Sequence, residues 1–259
     1  MRGRDEVRGG GRSTTIVIVV VVLVLLAFAA WYFLIRDDAP DAVSLDAAIE
    51  DVQGDSDNAD GTALAGSGGS TSAADLTGEW TVDTESGDFD FDSATGSFVG
   101  FRIDEELSGI GSTTAVGRTG DVDGSLTVDG DQITTVDMEV NMDSLTTDES
   151  RRDGRARDAL KTSEYPTATF ALTDPITLPA DAVDGDAVSI QANGDLTVAG
   201  VTQPVIFDVD AQLVNDTMVI VATTDVLLSD FDIAAPSAPI VLSVADEATV
   251  EMQLLMVRG

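Results

Sequence analysis

Between Val136 and Asp143 apolar and polar side chains alternate strictly, reading Val-Asp-Met-Glu-Val-Asn-Met-Asp. A period of two places Val136, Met138, Val140 and Met142 on one face of a strand, with the acids and Asn141 on the other. The pattern then breaks into Ser144–Ser150 and an Arg/Asp-rich run to Lys161. Ser150 or Asp148 can cap a short helix over Arg151–Lys161, weakened by Gly154. Tyr165-Pro166 stops any helix, and Thr167–Leu172 alternates again with Ala168, Phe170 and Leu172 on one side. The unit is strand, charged crossover, strand.

Short alternating segments of this kind recur from Glu79 to the C-terminus. Trp80 and Val82 start the series. Val99, Phe101 and Ile103 alternate with Gly100, Arg102 and Asp104, and Leu126 and Val128 precede an Asp129-Gly130 hairpin signal before Ile133. Beyond Phe170 come Val188/Ile190, Leu196/Val198, Val205/Phe207/Val209, Met218/Ile220/Ala222, Val226, Ile240/Leu242/Val244 and Val250/Met252/Leu254/Met256. About eight strands or a few more, with no long amphipathic helix, predict an all-β antiparallel barrel or sandwich over 78–259.

The pattern upstream is different. Ile16–Ile35 is an uncharged apolar run of 20 residues, which as a helix spans about 30 Å, the thickness of a bilayer core. Arg2, Arg4, Arg8 and Arg12 precede it, so the positive-inside rule predicts a cytoplasmic tail (1–15), one transmembrane helix (16–35) and everything beyond it outside the cell membrane. A cleaved signal peptide is the competing reading, but Trp31–Ile35 continues the apolar run where a cleavable signal turns polar. Residues 36–77 are rich in Asp, Ala, Gly and Ser and hold no aromatic side chain. They are expected to form a disordered acidic linker reaching roughly 35 Å, with weak helical spacing over 41–52.

Charge and composition narrow the chemistry. Thirteen basic residues stand against 47 acidic ones, for a net charge of −34. That balance disfavours nucleic acid and anionic lipid surfaces as partners of the body of the protein. It reflects either a compositional bias or adaptation to high salt, where screening relieves self-repulsion. Cysteine and histidine are both absent, which excludes disulfides, Cys/His zinc sites, thiol nucleophiles and Ser-His-Asp triads. Asp88, Asp90 and Asp92 alternate, but Ser93 and Val99 stand where a calcium loop needs glycine and a bidentate acid. No metal site and no catalytic constellation is predicted.

The run Asp143-Ser144-Leu145-Thr146-Thr147, Arg152-Asp153, Leu160-Lys161-Thr162, Tyr165-Pro166 and Phe170, followed by Gly194-Asp195-Leu196-Thr197-Val198-Ala199-Gly200-Val201-Thr202-Gln203-Pro204-Val205, resembles the YceI-like, polyisoprenoid-binding domains of bacteria. The resemblance covers about Gly78 to Val257 and implies a lipocalin-like barrel that holds an isoprenoid or other lipid. Around Leu228–Ile233 the chain departs from it: Leu228 and Asp232 stand where many members carry a basic residue and a glycine.

Two groups of residues are candidates for such a role. Met138, Met142, Met218, Met252 and Met256 all share the apolar parity of their strands. They fit either an ordinary core, as adaptable gap-fillers, or the wall of a cavity for a flexible hydrocarbon. With the resemblance, the predicted lumen comprises these five with Val136, Val140, Phe101, Phe170 and Phe207. Arg151, Arg152, Arg155 and Lys161, with Arg157, form the basic cluster of the domain. These cations either pair with Asp148, Glu149, Asp153 and Asp158 or form a mouth that attracts an anionic headgroup. The expected function is that of a membrane-anchored, extracytoplasmic lipid-binding protein. The expected ligand is a polyprenyl or quinone-type lipid, no other cofactor is required, and the protein is not an enzyme. The alternative is a ligand-free barrel serving surface contacts or stress protection.

Overall fold

One long strand near the C-terminus borders two shorter ones laid end to end, and the barrel is organised around it. The computed structural model describes residues 39–59, 76–148, 150–235 and 239–259, with the backbone alone at 55–59, 151 and 183. The elements are α1 (Leu45–Ala59), β1 (Gly78–Val82), β2 (Phe98–Leu107), β3 (Gly111–Thr119), β4 (Val122–Asp129), β5 (Gln132–Asn141), β6 (Thr146–Thr147), α2 (Ser150–Ala159), β7 (Thr167–Leu172), β8 (Ile176–Thr177), β9 (Val188–Val198), β10 (Val201–Val214), β11 (Thr217–Leu227) and β12 (Val241–Arg258).

Along β12, Trp80 pairs with Arg258 and Val82 with Met256, while Phe98 pairs with Gln253 and Leu107 with Val241. β1 and β2 are therefore one barrel strand, interrupted by the acidic excursion of 83–97. The next position is shared in the same way: β4 pairs with β1 and β3 with β2. The third is shared by β5 against β4 and β6 against β3. β7, β9, β10, β11 and β12 follow in order, and the β1–β12 pairing closes the ring. All pairs are antiparallel, so the fold is an all-β closed barrel of eight strand positions, as the alternation predicts. Closure removes the exposed edges that an open sheet would present.

The two ends of the barrel differ. Tight turns at Gly130 and at Asn215-Asp216 cross one end. There Trp80, Leu126, Val128, Met218, Leu254 and Met256 are all under a tenth exposed and pack into one cluster. The Trp80 indole N–H is satisfied by the Leu76 carbonyl at 2.9 Å, and the Arg258 guanidinium lies 4.7 Å over its ring. The other end carries the β2–β3 hairpin tip at 108–110, the β9–β10 turn at Ala199-Gly200, and the longer connections holding α2 and 228–240. We call these the closed end and the mouth.

One expectation is corrected. Within the region read as a disordered linker, residues 39–59 are structured and held on the outside of the barrel. Ala48 of α1 is wholly buried and packs with Val214, Val219, Val221 and Leu255 on the outer wall. Just ahead of α1, the carbonyls of Pro40 and Asp41 accept hydrogen bonds from Arg102 Nη1 at 2.8 Å and Arg118 Nη2 at 2.7 Å. Arg118 also donates to Glu251 Oε1 through Nε at 2.9 Å and Nη2 at 2.8 Å, and lies 4.6 Å over Phe98. Glu251 is fully buried, with Arg102 3.7 Å from its second oxygen. The apolar area under α1 offsets ordering entropy that composition alone suggested the segment could not meet, and Arg102 and Arg118 satisfy the carbonyls of the chain leading into it. The remainder of the linker, the cytoplasmic tail and the apolar run 16–35 lie outside the described residues. Among the described residues no helix is long and apolar enough to cross a membrane.

Candidate functional site

The inward positions of the mouthward half of the barrel do not meet. They surround a cavity of about 220 Å³ lined almost wholly by carbon. An apolar cavity of about 150 Å³ in another protein suffices to hold benzene, so this space accommodates a segment of hydrocarbon. Phe170 and Phe207 form part of its wall with their rings edge to face, centroids 5.1 Å apart and planes at 81°. Gly194 makes that arrangement feasible, because a Cβ there would collide with the Phe170 ring. Gly117 does the same for Phe101, whose ring edge occupies the place a Cβ would take.

Of the ten residues expected to line the lumen, the structure brings seven to the cavity: Phe101, Met138, Val140, Met142, Phe170, Phe207 and Met252. Val136, Met218 and Met256 are not among them. They point inward as their parity requires but lie nearer the closed end, where Met256 pairs with Met218 and Val82, and Val136 with Leu126. There Trp80 and its neighbours fill the interior, leaving these three in packed core. Period two gives the face of a strand but says nothing of depth along it.

The basic cluster divides similarly. Arg152 and Arg155 line the mouth of the cavity. Lys161 does not; it has a left-handed backbone (φ 56°) and donates to the Asp232 carbonyl at 3.0 Å. The side chain of Arg151 lies outside the described residues. Arg157 binds backbone carbonyls of Asp153 and Asp143, fixing α2 to the chain that precedes it. From the other side Asp153 accepts from both the amide and the hydroxyl of Thr147, at 2.8 and 2.7 Å. The crossover helix is thus fastened across the mouth at its first turn by Asp153 and at its last by Arg157.

Glu105 is the residue that the sequence reading passed over. It lines the cavity, is 8% exposed, and accepts a hydrogen bond from Arg152 Nη2 at 2.8 Å. Burial pushes its carboxyl above the ordinary range, an effect the Arg152 guanidinium counters only in part. Arg152 also bonds Asp148 through Nη1 at 2.7 Å. No ion pair to Arg155 is found among the described residues, and it remains exposed. The signal for Glu105 was present: it continues the inward parity of Phe101 and Ile103, and so does Leu107. Chemically, the site is a hydrocarbon slot with one buried carboxylate–guanidinium pair and one further cation at its entrance. Among the described residues no cluster of acids is arranged to hold a metal ion.

Comparison with known proteins agrees with this architecture. The YceI-like domain family matches residues 80–256. Protein YceI of Escherichia coli O157:H7 is 36% identical over 113 residues, covering 42% of this chain and 53% of that protein. The chain thus matches about half the length of this curated relative. Among solved structures, BcnA of Burkholderia cenocepacia superposes with a TM-score of 0.50 at 18% identity, covering 67% of this chain and 98% of that one. A polyisoprenoid binding domain from Saccharophagus degradans, implicated in plant cell wall breakdown, gives 0.49 at 16% identity over 70% and 98%. Two sequence blocks, a closed eight-stranded barrel and a family match across nearly all of it lead to one conclusion: the chain belongs to the YceI-like domain family.

Proposed function

We propose that this protein is a membrane-anchored, extracytoplasmic carrier that holds the tail of an isoprenoid or similar lipid in its barrel. The observation that carries the reading is the carbon-lined cavity of about 220 Å³ opening beside Arg152 and Arg155. Transfer of hydrocarbon from water contributes about 0.8 kcal/mol per buried methylene, so a tail binds without any reactive group. The space takes part of a long polyprenyl chain, and the rest leaves through the mouth. Arg155 and, when released from Glu105, Arg152 suit an anionic or strongly polar headgroup. Binding rather than catalysis is the role proposed. The anchor is the apolar run 16–35, with its arginines on the cytoplasmic side.

The test is extraction of lipid from the full-length protein purified from membranes, followed by mass spectrometry. Wild-type protein should carry, or take up, a polyprenol or quinone. Ala168→Phe adds a ring at a buried cavity-lining position and should reduce bound lipid per folded molecule several-fold, by occupying part of the tail's space. Asp137→Asn and Glu139→Gln, on the exposed face of β5, should bind as wild type. A wild-type barrel that holds no lipid above a control protein and takes up none defeats the carrier reading.

A further inference from the structure

The mouth carries an apolar surface that the cavity itself does not need. Ile110 at the β2–β3 hairpin tip, Ile240 just before β12 and Leu242 within it are 55, 56 and 64% exposed. They are neighbours: the Ser108 amide donates to the Ile240 carbonyl at 2.7 Å, and Leu107 pairs with Val241. Single exposed aliphatics need no explanation, but a group gathered on one lip of a cavity marks a docking surface. Behind the lip the outer wall turns acidic, with Asp104, Glu106 and Glu247 exposed.

We infer that this lip inserts into a lipid bilayer, so that the cavity opens onto the acyl region rather than into water. The inference rests on the lipid-carrying function proposed above. Continuity selects the occupant first, because Ile240 belongs both to the exposed lip and to the cavity wall. The chain outside the described residues selects it again. Pro40 is buried against the barrel and bonded to Arg102, two residues nearer the mouth than Arg118, which holds Asp41. From there the chain runs to α1, which packs on Val214 at the closed end of β10. It therefore joins the barrel wall at mid-height, on the mouthward side of the α1 contacts, and only residues 36–39 separate it from the end of the apolar run at Ile35. Those residues reach at most about 14 Å fully extended, far less than the leash of a forty-residue coil. The acidic collar sets the lipid class, since it repels anionic headgroups and leaves zwitterionic ones. A few aliphatic side chains insert shallowly and weakly; the apolar run supplies the attachment and the lip supplies the orientation.

The chain contains no cysteine, so single cysteines can be labelled uniquely. Full-length protein carrying Leu242→Cys, Ile110→Cys or, at the closed end, Asp216→Cys is labelled with an environment-sensitive fluorophore. It is then reconstituted in phosphatidylcholine vesicles. The two lip labels should shift to the blue and be quenched by nitroxide lipids, while the Asp216 label stays in water. Unquenched lip labels overturn the proposal. So does equal quenching of all three, and so does a blue shift without quenching, which would place a second copy of the chain on the lip. An Ile110→Asp, Leu242→Asp double variant should keep the wild-type melting temperature yet take up polyprenol from vesicles about tenfold more slowly. Unchanged uptake overturns the proposal. Lipid extraction from the same vesicles judges the carrier function separately: quenched lip labels on an empty barrel still support docking while removing the carrier reading.

Discussion

The closed end and the mouth of this barrel are built from the same alternation, yet one is solid and the other hollow. At the closed end Trp80, 1% exposed, is the largest of the fully buried side chains, and Leu126, Met218 and Met256 pack in the same cluster. Towards the mouth the inward positions of β3 are Ala115 and Gly117, and β7 contributes Ala168. Small side chains on two walls leave a space that the phenylalanines border but do not fill. An eight-stranded barrel sits at the size where its side chains either fill the interior or leave room for one small ligand, and this chain does each at a different height. What distinguishes a core from a binding slot here is the volume of a few residues, with the Glu105–Arg152 pair adding polarity only to the slot.

Substitutions should separate the two ends most sharply by stability. Trp80→Ala removes the largest side chain of the packed layer together with its indole hydrogen bond and its contact with Arg258. It should cost about 3–5 kcal/mol, read as a large fall in denaturation midpoint, while the fraction that stays folded still takes up lipid. A small effect would mean that the closed end is also loosely filled.

A matched pair of methionines sharpens this further. Met256 is wholly buried, so Met256→Ala should leave a new void and cost about 2–5 kcal/mol. Met142 is only partly buried and borders space that already exists, so Met142→Ala should change stability by under about 1 kcal/mol. Chemical denaturation of both variants makes the comparison, and equal losses would show that the mouth is packed in solution. Lipid retention should reverse the order, with Met142→Ala the more affected.

These differences explain which features the sequence disclosed. Strand alternation carried the barrel, because inward and outward residues differ in polarity wherever one face is wet. It concealed β3, whose inward Ala115 and Gly117 are small and whose other positions mix Gly, Ser and Thr with Val116 and Arg118. Parity also placed Val136, Met218 and Met256 on the correct side but could not assign their height. The docking of α1 was foreshadowed where alternation fails: Met218–Ala222 and Leu254–Met256 are apolar at consecutive positions, the mark of a strand covered on both faces. The partner of that second face was not legible, since α1 itself is weakly amphipathic and its clasp depends on Arg118 and Glu251 meeting from strands far apart in sequence. Where the resemblance to the family expects a glycine, Asp232 adopts the left-handed conformation (φ 54°) that glycine favours, so the backbone turn survives the change of residue.

The smallest effect expected, and the one most specific to the mouth, concerns Glu105. Its folded-state acidity is weakened, first by burial and despite Arg152, so the folded protein binds that proton more tightly than the unfolded chain does. Stability owed to Glu105 therefore rises as pH falls through its raised folded value and levels off below the ordinary carboxylate value of about 4.3. Wild type should gain on Glu105→Gln over that window, measured as the difference between their melting temperatures. A gain in the opposite direction would show that Arg152 dominates over burial. Protonation also removes one of the two carboxylate charges that hold Arg152, leaving its Nη2 side free of Glu105 while Asp148 stays on Nη1. Affinity for a lipid with an anionic headgroup should then rise by roughly a few-fold as pH falls through the same window, whereas Glu105→Gln should bind that well already at neutral pH. A neutral polyprenol, which asks nothing of the guanidinium, should show neither dependence. If both lipids respond alike, the pH effect lies in the barrel as a whole and the mouth has no part in choosing the headgroup.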